Sequence, residues 1–93
     1  MTESPIPARY ARNPQILSSD IDDETVMLSI ESGYFFSAKG IGPFIWNMME
    51  APRSRSELLE GICEAYDVDA DTAGSDLDRF LEELDEHGML VRS

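Results

Sequence analysis

The sequence has a single cysteine, Cys63, and a single histidine, His87. The first excludes an internal disulfide, and together they leave no cluster of soft metal ligands. No stretch of ~20 consecutive apolar residues exists to span a bilayer. The start, Met1-Thr2-Glu3-Ser4-Pro5, has neither a basic leader nor an apolar core, so no secretory signal is expected and the reading is cytoplasmic. Glycine is too sparse for a phosphate loop: Gly40-x-Gly42 lacks both a third glycine and a lysine. Positive charge is the scarcest resource. Seven Lys and Arg stand against nineteen Asp and Glu, for a net charge of -12. Such a field repels phosphate backbones and anionic lipid, so neither nucleic acid nor membrane is an expected partner. A cationic or mixed-charge partner is compatible with it, while many of the acids serve solubility.

What is present suffices for one small domain. Ninety-three residues with 42% hydrophobic content can build one modest core, and wholesale disorder is not expected. Met1 to Pro14 contains three prolines and no apolar period, which reads as an extended N-terminal arm, with the folded domain spanning 15–93. Gln15–Ile21 is a candidate strand. After the acidic turn Asp22-Asp23-Glu24, Val26, Leu28 and Ile30 alternate as a second, and Tyr34–Ala38 follows as a third. A three-residue loop, Glu31-Ser32-Gly33 with Gly33 at positive φ, predicts that Ile30 pairs with Tyr34 and Leu28 with Phe36.

The period then changes from two to that of a helix. Pro43 suits a first turn, and Phe44, Ile45, Met48 and Met49 follow at helical spacing until Pro52. Ser54 and Glu57 form a capping box that opens a second helix from Arg55 to Tyr66, with Leu58, Leu59, Ile62 and Tyr66 as its buried stripe. Cys63 and Ala65 are expected to fill smaller gaps beneath it. A third helix, capped by Asp69 or Asp71, carries Ala73, Leu77, Phe80, Leu81 and Leu84 on one face and ends at Gly88. Three strands followed by three helices predict an α+β fold, helices packed on one face of a three-stranded antiparallel sheet, resembling a winged helix-turn-helix.

No catalytic constellation assembles from these residues, so an enzyme is not expected. His87 at a helix end suits the helix dipole, and no Ser or Cys partner is placed beside it. A winged-helix transcription regulator would read DNA with the third helix. That helix presents Asp76, Asp78, Glu82, Glu83, Asp85 and Glu86 against Arg79 alone, the wrong sign for a phosphate backbone. A binding module fits better. The strand Tyr34–Ala38 has no following strand to pair with, carries three consecutive aromatic residues and has no charge before Lys39, so it is an edge able to accept a peptide strand.

Three stretches resemble PqqD-like proteins. They are Gly33-Tyr34-x-Phe36-x-Ala38 through Gly42 to Ile45-Trp46; Arg55-Ser56-Glu57-Leu58-Leu59 through Tyr66-Asp67-Val68; and Asp76-Leu77-x-x-Phe80-Leu81-x-x-Leu84 with Gly88-Met89-Leu90. The resemblance covers Gln15 to Val91. It implies a RiPP recognition element, a winged-helix-like domain that binds the leader segment of a ribosomally made precursor peptide. Such a domain needs no cofactor. It delivers the peptide to a modifying enzyme or leader protease of the same pathway, and it catalyses nothing. The leader would add as a strand beside Tyr34–Ala38. Carried over residue by residue, the site would use Tyr34, Phe36 and the backbone of Phe35 and Ser37, with Leu28 on the neighbouring strand. From the third helix it would use Asp76, Phe80 and Glu83, with Leu77 beneath. Ala38-Lys39 stands where the family often has Leu-Asn. A stand-alone acidic member is similar to the recognition proteins of lasso-peptide pathways, and a partner of a radical SAM maturase is the alternative.

Overall fold

The computed structural model describes residues 8–92. Its strands are β1 (Arg9–Arg12), β2 (Ile16–Ile21), β3 (Glu24–Ser29), β4 (Phe35–Ala38), β5 (Arg53–Ser54) and β6 (Leu90–Arg92). Its helices are α1 (Gly42–Met48), α2 (Arg55–Ala65) and α3 (Ala70–Glu86). The architecture is α+β and winged-helix-like, with the antiparallel sheet β2-β3-β4 standing before the helices as expected. A second antiparallel sheet, β5-β1-β6, was not foreseen.

That second sheet absorbs part of the expected arm. Residues 1–7 lie outside the described residues, but Arg9–Arg12 is the central strand between β5 and β6. The Arg12 guanidinium lies 5.2 Å from the centre of the Trp46 ring, and its Nε donates to the Trp46 carbonyl at 2.8 Å. It thereby satisfies a carbonyl near the end of α1, which has no basic residue in its own last turn. Backbone bonds from Arg12 to Met49 and from Asn13 to Met89, both 3.1 Å, join this strand to the helical layer.

The helices start where their caps dictate. Ser54 Oγ accepts from the Glu57 amide at 3.1 Å while Glu57 Oε1 accepts from the Ser54 amide at 2.8 Å, closing the capping box. Asp69 rather than Asp71 caps α3, accepting from the Thr72 amide at 2.8 Å. Leu58 and Ile62 of α2 pack with Ala73, Leu77, Leu81 and Leu84 of α3, and with Ile45, Trp46 and Met49 around α1. Cys63 and Tyr66 correct the expectation of burial: both are exposed, as is Ala65. The buried line of α2 runs through Leu58 and Ile62, and the next residue is turned about 100° away from it.

The hairpin register also departs from expectation. Met27 pairs with Phe36, and Leu28 with Phe35. The connection holds four residues, closed by bonds from the Gly33 amide to the Ser29 carbonyl (2.7 Å) and from the Ser29 amide to the Tyr34 carbonyl (2.9 Å). Gly33 does take positive φ, 75°. One residue of slip reverses the face of a strand. Thr25, Met27 and Ser29 therefore point into the molecule, while Leu28 and Ile30 are exposed.

Candidate peptide-binding groove

β4 is the last strand of its sheet among the described residues. In an antiparallel pair, residues that exchange both backbone bonds alternate with residues that do not. The Ser29–Tyr34 bond makes Met27/Phe36 and Thr25/Ala38 the exchanging pairs. The amides and carbonyls of Phe35 and Ser37 then point away from β3, along the open edge. They are spaced to pair with an added strand.

A groove of about 350 Å³ runs between this edge and α3. Phe36, Ala38, Ile41, Gly42 and Phe80 form its apolar surface. The Phe36 and Phe80 rings join its two sides, tilted at 39° with centroids 6.4 Å apart. Beyond Phe36, with 6.4 Å between centroids, the Tyr34 ring stacks on His87 at 3.8 Å, nearly parallel at 9°. Asp76, Arg79 and Glu83 from α3 and Lys39 from the loop after β4 line the same groove. Arg79 lies 3.7 Å from Asp76, whereas Glu83 enters no ion pair among the described residues. Helical geometry explains the grouping: Asp76, Phe80 and Glu83 are spaced by four and three, so they share one face. Leu77, fully buried, supports that face from beneath.

Most of the expected residues are thus brought together. Phe36, Asp76, Phe80 and Glu83 meet at the groove, Tyr34 lies outside its lining but stacks with Phe36 at 6.4 Å, and the backbones of Phe35 and Ser37 form the sheet edge. Leu28 is not with them. The four-residue hairpin places it on the opposite face of the sheet, 37% exposed, beside Phe35 at 60%. Ser37 also turns its side chain to that outer face, where Oγ donates to Glu24 at 2.7 Å. Ala38, Ile41, Gly42, Lys39 and Arg79, which also line the groove, were missed. The helical period could have found Arg79, three residues after Asp76 and four before Glu83. The role of Gly42 could not be read, because it depends on how closely β4, α1 and α3 approach.

Known proteins match this chain in sequence and in fold. The profile of coenzyme PQQ synthesis protein D (PqqD) matches residues 24–90. TbiB1, solved in complex with the TbiA(beta) leader peptide, is similar to this chain at 32% identity with a TM-score of 0.78. The match covers 86% of this chain and 93% of that one. A lasso peptide synthetase B1, complexed with the leader peptide, shares the fold at 21% identity and a TM-score of 0.75, covering 88% of this chain and 96% of its own. No curated protein matches the sequence. The profile spans β3 through the start of β6, including both walls of the groove, and the chain belongs to the PqqD family.

Proposed function

We propose that this chain binds the leader segment of a ribosomally made precursor peptide and presents it to a modifying enzyme or leader protease of the same pathway. The observation that carries this reading is the open edge of β4 beside an aromatic groove walled by α3. An extended peptide gains main-chain hydrogen bonds from the edge and selectivity from pockets reached by alternate side chains. Phe36 and Phe80, with Leu77 beneath, receive the apolar side chains, Tyr34 closes the end, and Asp76 and Glu83 attract basic ones. The chain acts by binding and not as an enzyme. The likeness to TbiB1 supports a peptide leader as the ligand. Both solved likenesses were captured with leader peptides, one of them as a lasso peptide synthetase, which supports a lasso-type pathway ahead of partnership with a radical SAM maturase. The acidic outer surface of α3 weighs against the transcription-regulator reading.

Titration with the leader of the precursor encoded beside this chain tests the reading. Ser37→Pro deletes one outward amide without removing apolar surface, and should weaken binding about tenfold with the melting temperature little changed. A folded Ser37→Pro variant that binds as tightly as the parent would falsify strand addition.

A further inference from the structure

A strand on the edge of β4 has two faces, and the groove accounts for only one of them. Side chains alternate along a strand, so Phe36 and Ala38 face α3 while Phe35 and Ser37 face outward. On that outer surface the registers Leu17↔Leu28 and Leu28↔Phe35 align three large apolar side chains in one row across β2, β3 and β4. They are 56%, 37% and 60% exposed, and Ile30, 65% exposed, lies just beyond. The neighbouring row, Ser19, Val26 and Ser37, is smaller and more polar. At the next, Ile21 is exposed on β2, but beside β4 Glu24 is 3.9 Å from Lys39. Along the β4 edge the outer face is therefore graded, apolar at Phe35 and polar beyond Ser37.

Resting on the strand-addition reading, we propose that the outward face of the bound peptide is also read, by the Phe35 side chain. The peptide residue directly opposite Phe35 becomes the fourth member of the Leu17–Leu28–Phe35 row and is selected as β-branched or aromatic. The outward position at the level of Ser37 has no such demand. The substrate class is thus an extended peptide with apolar groups on both faces at the Phe35 end, and not one with a single apolar face turned into the groove. Like-for-like pairing across strands supplies the preference, because aromatic and β-branched side chains fit together on a pleated surface.

A displayed library of random peptides, selected on the immobilised full-length chain, tests this. Selected peptides are then titrated against the parent, Ser37→Pro, Phe35→Ser and Phe35→Ile, each checked for an unchanged thermal melt. Amide hydrogen exchange should show protection of Phe35 and Ser37 on binding. Peptides should converge on Val, Ile, Phe or Tyr at one outward position. Phe35→Ser should weaken them about three- to fivefold, as expected for one cross-strand pair. Phe35→Ile should restore most of that loss, and a peptide with Ser at the outward position should not respond to Phe35→Ser. If selection yields nothing, or binders indifferent to Ser37→Pro, strand addition itself fails and this inference with it. Binders that need the Ser37 amide, yet accept Asp, Lys or Ser opposite Phe35 and ignore Phe35→Ser, would overturn the outward reading and leave the groove intact.

Discussion

Gly42 shows how much of the groove rests on single atoms. A Cβ there would sit 2.9 Å from the Ala38 Cβ and 3.3 Å from the Phe80 ring. Ala38 cannot retreat, since its Cβ is fixed to the β4 backbone, so the start of α1 must shift away from β4, and the Phe80 ring must give by a few tenths of an ångström as well. Gly42→Ala should cost about 1–3 kcal/mol of stability by overpacking, read by urea unfolding, and should displace the ring that walls the groove. Leader binding should fall with it. Phe80→Ala acts on the same wall by removal. Its ring is half-buried, so about 2 kcal/mol is expected, below the range for a fully buried Phe. Binding should drop more than in Leu84→Ala, which costs at least as much stability because Leu84 is fully buried, but which lies away from the groove lining. Equal affinities for the two variants would remove Phe80 from the site.

The elements legible in the sequence were those whose signals are local. The box at Ser54, the cap at Asp69, the stop at Gly88 and the apolar period of α3 each lie within a few residues of their effect. β1 was not legible because its partners sit more than forty residues away in β5 and about eighty away in β6, and Arg-Tyr-Ala-Arg has no strand pattern of its own. Hairpin register fell between these cases. Three- and four-residue connections both fit Ile30-Glu31-Ser32-Gly33, and alternating Val26, Leu28 and Ile30 pointed to the face that the structure leaves outside. The caps also set a pH response. The backbone bond from Ser54 lowers the Glu57 carboxyl, and the Thr72 amide lowers Asp69. The hydrogen bond from Arg55, which grips both oxygens at 2.6 and 3.0 Å between α2 and α3, lowers Asp78. Groups depressed in the folded state contribute stability that is present above their unfolded values, 4.5 for Glu and 3.8 for Asp, and lost as pH falls through the folded ones. The urea midpoint should therefore fall on acidification below about pH 5. Asp78→Asn should flatten part of that fall. Its share stays below about 1 kcal/mol, because both partners are well exposed. A parent and variant with parallel pH profiles would show that the Arg55–Asp78 bridge adds nothing.

At the scale of the whole molecule the charge is the dominant feature, and it acts in two directions. Nineteen acids against seven basic residues make the folded chain repel itself, while the same sign draws a basic peptide toward α3. Screening separates these roles. Raising the salt from 0.1 to ~0.5 M shortens the Debye length from about 10 to about 4 Å. Long-range repulsion between the acids of α2, α3 and the β2–β3 turn should weaken, and the melting temperature should rise. Attraction between the leader and Glu83, the groove carboxylate in no ion pair among the described residues, should weaken as well. Stability and affinity are thus expected to move oppositely with salt. Glu83→Gln distinguishes a local effect from the general field: it should lower affinity at low salt and reduce the salt dependence, with little change in melting. The same change at Glu60, on the exposed surface of α2, should leave affinity alone. If both substitutions shift binding equally, the field of the whole chain steers the leader and Glu83 has no place in the groove's selectivity.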